Sequence, residues 1–303
     1  MEALFEAWRA LDAITAPEAA GLERALLAAL ARDRELYSDV LEASFAIGPR
    51  GERAYRFSYA FPGFRGAPSS SSAAVASALA CAAPFGPAIV AATRRLLRAA
   101  TDPAVEQPLV GLAWDRAGAP RHKVYLQFRD AAGPAAAALS ERVLGIPGLA
   151  ARIGDARLHM LGVDFGPAGL SGAKLYIAHA SVIASEPAAA APAPLDIASA
   201  LARALPAGHR VRNVLAVHRL GSSDCAVGGL PPASDVDFGL ADNDLTWDAL
   251  ARAPTLASIL ARSRLPSTLF SAFRIGVRRL SIGTGVAPGA TVYYALREVE
   301  AAS

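Results

Sequence analysis

Paired runs of alternating polar and apolar residues recur along this chain, each pair joined by a Gly- or Pro-bearing turn and followed by residues at helical spacing. Residues 39–47 and 53–61 flank Gly48-Pro49-Arg50-Gly51, 109–115 and 123–128 flank Gly118-Ala119-Pro120, and 158–165 and 174–179 flank Gly166 to Gly169. Residues 211–219 and 235–240 flank a Gly/Pro-rich loop, and 273–280 and 291–296 flank Gly283 to Gly289. These alternations predict five β-hairpins. Helical periodicity is predicted over 17–37, 73–83, 87–100, 133–144, 195–205 and 245–263. Comparable positions of the outgoing strands are Arg56, Tyr125, Tyr176, Asp237 and Tyr293, spaced by 69, 51, 61 and 56 residues, which is a long internal repeat. A unit of two strands with flanking helices cannot bury its own sheet face. Five such units in a ring close ten antiparallel strands into a β-barrel with helices outside, and closure removes every sheet edge. The expected fold is therefore α+β, a ten-stranded barrel of ααββ-type repeats. Residues 1–303 are read as one domain, because the repeat runs straight through the Ala/Pro connector at 186–194.

Composition removes several function classes. Of 303 residues, 53% are hydrophobic and 19% charged, so a large core is available and global disorder is excluded. No apolar stretch reaches the roughly 18 residues of a membrane span. The segment from Met1 to Leu11 carries Glu2, Glu6 and Arg9 and lacks the pattern of a secretory signal, so a cytoplasmic protein without a membrane partner is expected. Cys81 and Cys225 form no CxxC pair, leaving neither a disulfide framework nor a structural zinc site. Net charge is +3, but the arginines are scattered and no basic run with interleaved aromatics implies nucleic acid. Only Lys123 and Lys174 among the 30 basic residues are lysine.

Strand parity then sorts the barrel wall. The apolar set, such as Val124, Leu126 and Phe128, or Val236 and Phe238, is expected to face the helices. The opposite parity is polar: Arg56 and Ser58, Lys123, Tyr125 and Gln127, Lys174 and Tyr176, Asp235 and Asp237, Thr291 and Tyr293. On the incoming strands it gives Glu42, Ser44, Asp115, Asp164, His218, Arg274 and Arg278. A ten-stranded barrel is too wide for these side chains to fill, so a solvated, ligand-sized lumen is expected. Both lysines lie in one pattern, Lys123-Val-Tyr125 and Lys174-Leu-Tyr176, in adjacent repeats. An ammonium beside an aromatic face suits an anionic ligand whose organic part becomes cationic: the lysine neutralises departing oxygens and the ring quadrupole stabilises positive charge.

The segments Met160 to Phe165 with Lys174-Leu-Tyr-Ile177, Arg121-His-Lys-Val-Tyr125 and Ala54-Tyr-Arg-Phe57 resemble the soluble aromatic prenyltransferases of the PT-barrel, or ABBA, type. The resemblance implies an enzyme, an alkyl transferase of secondary metabolism, that moves an allylic group from a prenyl diphosphate to an aromatic small-molecule or peptide acceptor. It implies diphosphate contacts from Arg56, Lys123 and Lys174, with Arg278 adding positive charge. A shield for the allyl cation would come from Tyr125, Tyr176 and Tyr293, and Glu42 stands where part of the family has a carboxylate base. Asp164, His218 and Asp237 are expected on the acceptor. The chemistry requires no cofactor. Asp235 and Asp237 depart from the family pattern, and a Mg²⁺ ion between them would relieve their repulsion from a diphosphate. The chain is expected to act as a monomer.

Two rival readings come from other classes. Leu220-Gly-Ser222, twelve residues, then Asp235-Val-Asp-Phe238 has the shape of a nucleotidyltransferase signature, in which the Asp-x-Asp pair holds Mg²⁺. Gly221 to Ala233 reads as a loop, however, where that fold wants a helix. A non-catalytic barrel carrying a small ligand would lack convergent cations, which Lys123 and Lys174 supply.

Overall fold

Alternation and closure together decide the architecture. The computed structural model describes residues 41–50, 53–60, 75–76, 78–115, 120–166, 168–186, 194–220, 229–263 and 277–295. Its strands are β1 (Leu41–Ile47), β2 (Arg53–Ala60), β3 (Val105–Asp115), β4 (Pro120–Phe128), β5 (Leu158–Gly166), β6 (Gly169–Ile183), β7 (Arg210–Leu220), β8 (Asp235–Gly239), β9 (Val277–Gly283) and β10 (Ala290–Ala295). Each pairs antiparallel with its neighbour in sequence, and β10 returns to pair with β1, placing Tyr293 opposite Ser44. The ring is closed. At the seam Gly289 passes so close to β1 that a Cβ there would lie 2.5 Å from the Ile47 carbonyl oxygen, which only glycine avoids.

Helices cover the outside. They are α1 (Pro87–Ala99), α2 (Gly133–Leu144), α3 (Leu149–Ile153), α4 (Ile197–Leu201), α5 (Trp247–Leu250) and α6 (Pro254–Ser263). In α1 the residues Ile89, Thr93, Leu96 and Leu97 recur at helical spacing and are buried, while Arg94, Arg95 and Arg98 face solvent. The span predicted over 245–263 is broken in two, because Pro254 cannot continue a helix but can begin one. The span predicted over 195–205 shortens to α4, whose first turn is capped by Asp196 accepting from the Ser199 N–H at 2.7 Å. Among the described residues no helix is long and apolar enough to cross a membrane. The helix predicted over 17–37, the segment 1–11, Ser222, Cys225 and Arg274 lie outside the described residues.

The core lies between barrel and helices. Val124, Leu126, Phe128, Leu161, Val163 and Leu175 pack with Ile89, Leu96, Leu139 and Leu149. On the opposite side Phe45, Val236, Phe238, Leu280 and Val292 pack with Leu201, Trp247, Leu256 and Ile259. His122 also faces outward, fully buried beside Phe85 and Phe165, with its Nε2 3.0 Å from the Thr93 hydroxyl. Burial lowers its pKa to about 4.

Phe238→Ala is expected to lower unfolding free energy by about 3–5 kcal/mol, read from urea denaturation, because the ring is fully buried and the cavity cannot fill. His122 generates a pH dependence. Unfolded, it binds a proton below about pH 6.5, whereas folded it resists protonation to about 4. Its contribution to stability is therefore complete above the unfolded value and falls as pH drops through that window. Urea titrations at pH 7 and pH 4.5 are expected to show a loss of which His122 supplies on the order of 2–3 kcal/mol, and His122→Phe is expected to remove that share.

Candidate active site

Residues directly opposite one another in a sheet share a face, so register traces the inner wall. Arg56 lies opposite Ser44, Ser44 opposite Tyr293, and Tyr293 opposite Arg279. Lys123 lies opposite Asp164, Tyr125 opposite Gly162, and Gly162 opposite Lys174. Tyr176 lies opposite Met160 and Val217, and Asp237 opposite Leu215 and Ser281. The two Lys-x-Tyr patterns, Arg56, Tyr293 and the Asp-x-Asp pair therefore face one lumen.

Positive charge concentrates on the β2, β4 and β6 part of that wall. Asp164 bridges both lysines: its Oδ1 lies 2.5 Å from the Lys123 ammonium and its Oδ2 3.6 Å from that of Lys174. Lys123 is 2% exposed and Asp164 8%. The buried Nε of Arg56 makes no hydrogen bond. Among the described residues, three cations thus face one carboxylate. Burial pushes the Lys174 pKa down to about 8, with Arg56 and Arg219 adding to the shift and Asp164 opposing it. Lys123 is driven down by burial, then by Lys174 and Arg56. Burial works against the Asp164 charge, yet the lysines hold its carboxyl well below the usual range. For Arg56 burial also opposes the charge, and the surrounding Tyr125, Tyr293, Tyr176 and Asp164 raise its pKa above the ordinary value. An anion entering here meets preformed, partly desolvated cations.

Beside the cations lie the tyrosines. Tyr125, Tyr176 and Tyr293 are all buried, and the first two meet edge to face with centroids 6.4 Å apart. Gly162 makes this possible, since a Cβ there would sit 2.9 Å from the Tyr125 ring. Leu215, Val217, Leu109 and Met160 complete an apolar lumen patch around the rings. The arrangement brings cations, buried aromatic rings and an apolar patch together on one wall.

Several expectations are corrected. His218 does not face the lumen: it lies opposite Leu175 on the outer face, its Nδ1 2.7 Å from the Pro231 carbonyl, so it cannot hold an acceptor inside. The inward cation of β7 is Arg219, opposite Lys174. The run from Val214 to Val217 is apolar and buried on both faces, so its alternation carried no information. Arg278 is exposed, and Arg279 takes the inward place. The register shifts between Tyr293 and Tyr294, with Tyr293 opposite Arg279 but Tyr294 opposite Val277, so one residue of β9 is bulged out and parity reverses. Asp164, expected on the acceptor, is committed to the lysines. Asp235 and Asp237 face inward, but each is held by an arginine rather than poised for a metal: Asp235 by Arg219 at 3.0 Å and Asp237 by Arg279 at 3.1 Å. Among the described residues no cluster of three metal-ligating side chains occurs. Each arginine offsets the repulsion that the carboxylates would exert on a diphosphate. Glu42 occupies the register position opposite Ser58 on β1, and its side chain lies outside the described residues. The nucleotidyltransferase reading requires both carboxylates to exchange their arginines for a metal, and its Gly221-Ser222 turn is outside the described residues.

No protein-family model and no curated protein matches the sequence. The fold does match solved structures. The 5-dimethylallyltryptophan synthase of Streptomyces coelicolor superposes with a TM-score of 0.61 at 18% identity, over 95% of this chain and 94% of that one. The same enzyme in complex with DMASPP and Trp gives 0.61 at 19% identity, over 95% and 91%. The 6-dimethylallyltryptophan synthase of Micromonospora olivasterospora, also in complex with DMASPP and Trp, gives 0.58 at 18% identity, over 84% and 81%. The likeness spans nearly the whole chain and establishes a shared barrel fold.

Gly162→Ala is expected to displace the Tyr125 ring, cost about 1–3 kcal/mol of stability, and change the near-ultraviolet circular dichroism of the tyrosines. An unchanged spectrum and unchanged urea midpoint would contradict the packing described.

Proposed function

We propose that this chain, which shares its barrel with dimethylallyltryptophan synthases, is itself an aromatic prenyltransferase. The observation that carries the reading is the convergence of Arg56, Lys123 and Lys174 with three buried tyrosines on one lumen wall. A prenyl diphosphate would place its anionic end against the three cations and its allylic chain against Tyr125, Tyr176, Tyr293 and the apolar patch. The allylic C–O bond breaks, and both electrons leave with the diphosphate, whose charge the cations stabilise. The tyrosine faces stabilise the allyl cation and keep water from it. An aromatic carbon of the acceptor attacks, a carbon–carbon bond forms, and the ring proton passes to a base, for which Glu42 on β1 is the candidate. Arg279, in place of Arg278, adds positive charge while holding Asp237.

Bound Trp in two of the similar structures makes tryptophan and related indoles the first acceptors to test. The same reading takes residues 1–303 as one domain of five ααββ units acting as a cytoplasmic monomer. The charge that ionisation requires comes from side chains, so the reaction needs no cofactor. Asp235 and Asp237 belong to the acceptor side of the lumen.

Incubation with dimethylallyl diphosphate and a panel of indoles and phenols is expected to yield a product heavier by one prenyl unit, detected by mass spectrometry. Lys123→Ala and Lys174→Ala are each expected to weaken dimethylallyl thiodiphosphate binding by roughly ten- to a hundred-fold, equivalent to about 1.5–3 kcal/mol, while far-ultraviolet circular dichroism is retained. Normal donor affinity in both folded variants refutes the assignment. Donor binding without turnover of any acceptor favours a ligand-carrying barrel, and tight ATP binding lost in Asp237→Asn favours nucleotidyl transfer.

A further inference from the structure

The lysine pair is compensated unequally, and this has consequences for ligand binding. Asp164 projects from β5 between β4 and β6, giving one oxygen to Lys123 at 2.5 Å and the other to Lys174 at 3.6 Å. Among the described residues, the charged groups acting on Lys174 are Asp164 on β5, Arg56 on β2, Arg219 on β7 and Asp235 on β8, with Lys123 sharing the same carboxylate from β4. Arg219 and Asp235 largely cancel each other at 3.0 Å. Among the described residues, what remains is one carboxylate paired with two lysines, with the Arg56 guanidinium nearby, in a buried site. The cluster holds its last lysine proton weakly, as a property of the coupled group.

We propose that Asp164 is an internal counter-ion that the donor's diphosphate displaces from the lysines, so that donor binding in alkaline solution takes up one proton. The inference rests on the reading of this site as the donor site. A diphosphate brings at least two negative charges to a cluster whose described members are three cations and one carboxylate, and so favours protonation of both lysines. In the empty protein Lys174 releases its proton near pH 8, and in the complex it keeps it. Burial and the neighbouring cations act in the same direction on Lys123, so affinity falls as pH rises through this region.

The test is isothermal titration of wild type with dimethylallyl thiodiphosphate in buffers of different ionisation enthalpy. The ligand's terminal phosphate is fully ionised above about pH 7.5, its second pKa lying near 6, so proton uptake beyond that point belongs to the protein. Proton uptake is expected to rise from below about one half at pH 7 to about one at pH 9, with affinity about ten-fold weaker at pH 9 than at pH 7. Asp164→Asn removes the counter-ion. It is expected to move the fall in affinity to lower pH and to bind the donor more tightly than wild type at pH 6. Absence of proton uptake across this range in wild type overturns the proposal without need of the variant, and an unchanged pH profile in folded Asp164→Asn does the same. Methyl diphosphate, which lacks the prenyl chain, separates the two readings. Equal affinity for methyl diphosphate and the prenyl ligand, both with proton uptake, removes the prenyl donor and leaves the counter-ion. Prenyl-selective binding without uptake removes the counter-ion and leaves the donor. Binding of neither ligand at any pH removes both.

Discussion

A ring of ten strands encloses more space than its own side chains can fill, and the remainder of the molecule answers to that width. The outer face of every strand can be apolar because helices cover it: Val124, Leu126, Phe238 and Leu280 are all fully buried there. The inner face has no such cover. Its side chains must either tolerate water or satisfy one another, and in this chain they do the second. Asp164 answers Lys123 and Lys174, Asp235 answers Arg219, and Asp237 answers Arg279. A wide lumen without these pairs would hold isolated buried charges, each costing several kcal/mol.

The pairing is uneven, and the unevenness gives the wall its polarity. Around β7 to β9 each carboxylate has its own arginine, so that side is close to neutral. Around β2, β4 and β6, among the described residues, three cations share one carboxylate, and the tyrosines stand beside them. A ligand with an anionic head and an electron-poor carbon chain would meet both features along one wall, and Leu215, Val217 and Met160 add an apolar surface beside the rings.

Much of this was legible in the residues. Where one strand face is polar and the other apolar, as in Lys123-Val-Tyr-Leu-Gln-Phe128, alternation placed every side chain correctly, because a slip of one residue would expose the core. The reading failed where that contrast disappears or the spacing breaks. In β7 four consecutive residues, Val214 to Val217, are buried on one face or the other, so His218 and Arg219 could not be told apart by pattern. In β9 a bulge exchanged Arg278 for Arg279, and a bulge leaves no trace in composition. Gly162 was invisible for a different reason: its importance is the absence of a side chain beneath two rings that come from other strands. The roles of the carboxylates depended on distances across strands, which a sequence does not contain.

The seam between β1 and β10 joins the first described strand to the last, with Gly289 pressed against the Ile47 carbonyl. Every other strand pairing links sequence neighbours and can form locally, whereas this one closes a loop through almost the entire domain. On the ribosome, the four earlier hairpins can assemble as an open, curling sheet while the fifth is still in the exit tunnel. During that interval β1 waits as an unpaired edge, the kind of surface that recruits strands from other chains. The lumen comes into existence only once β10 has emerged and paired with β1.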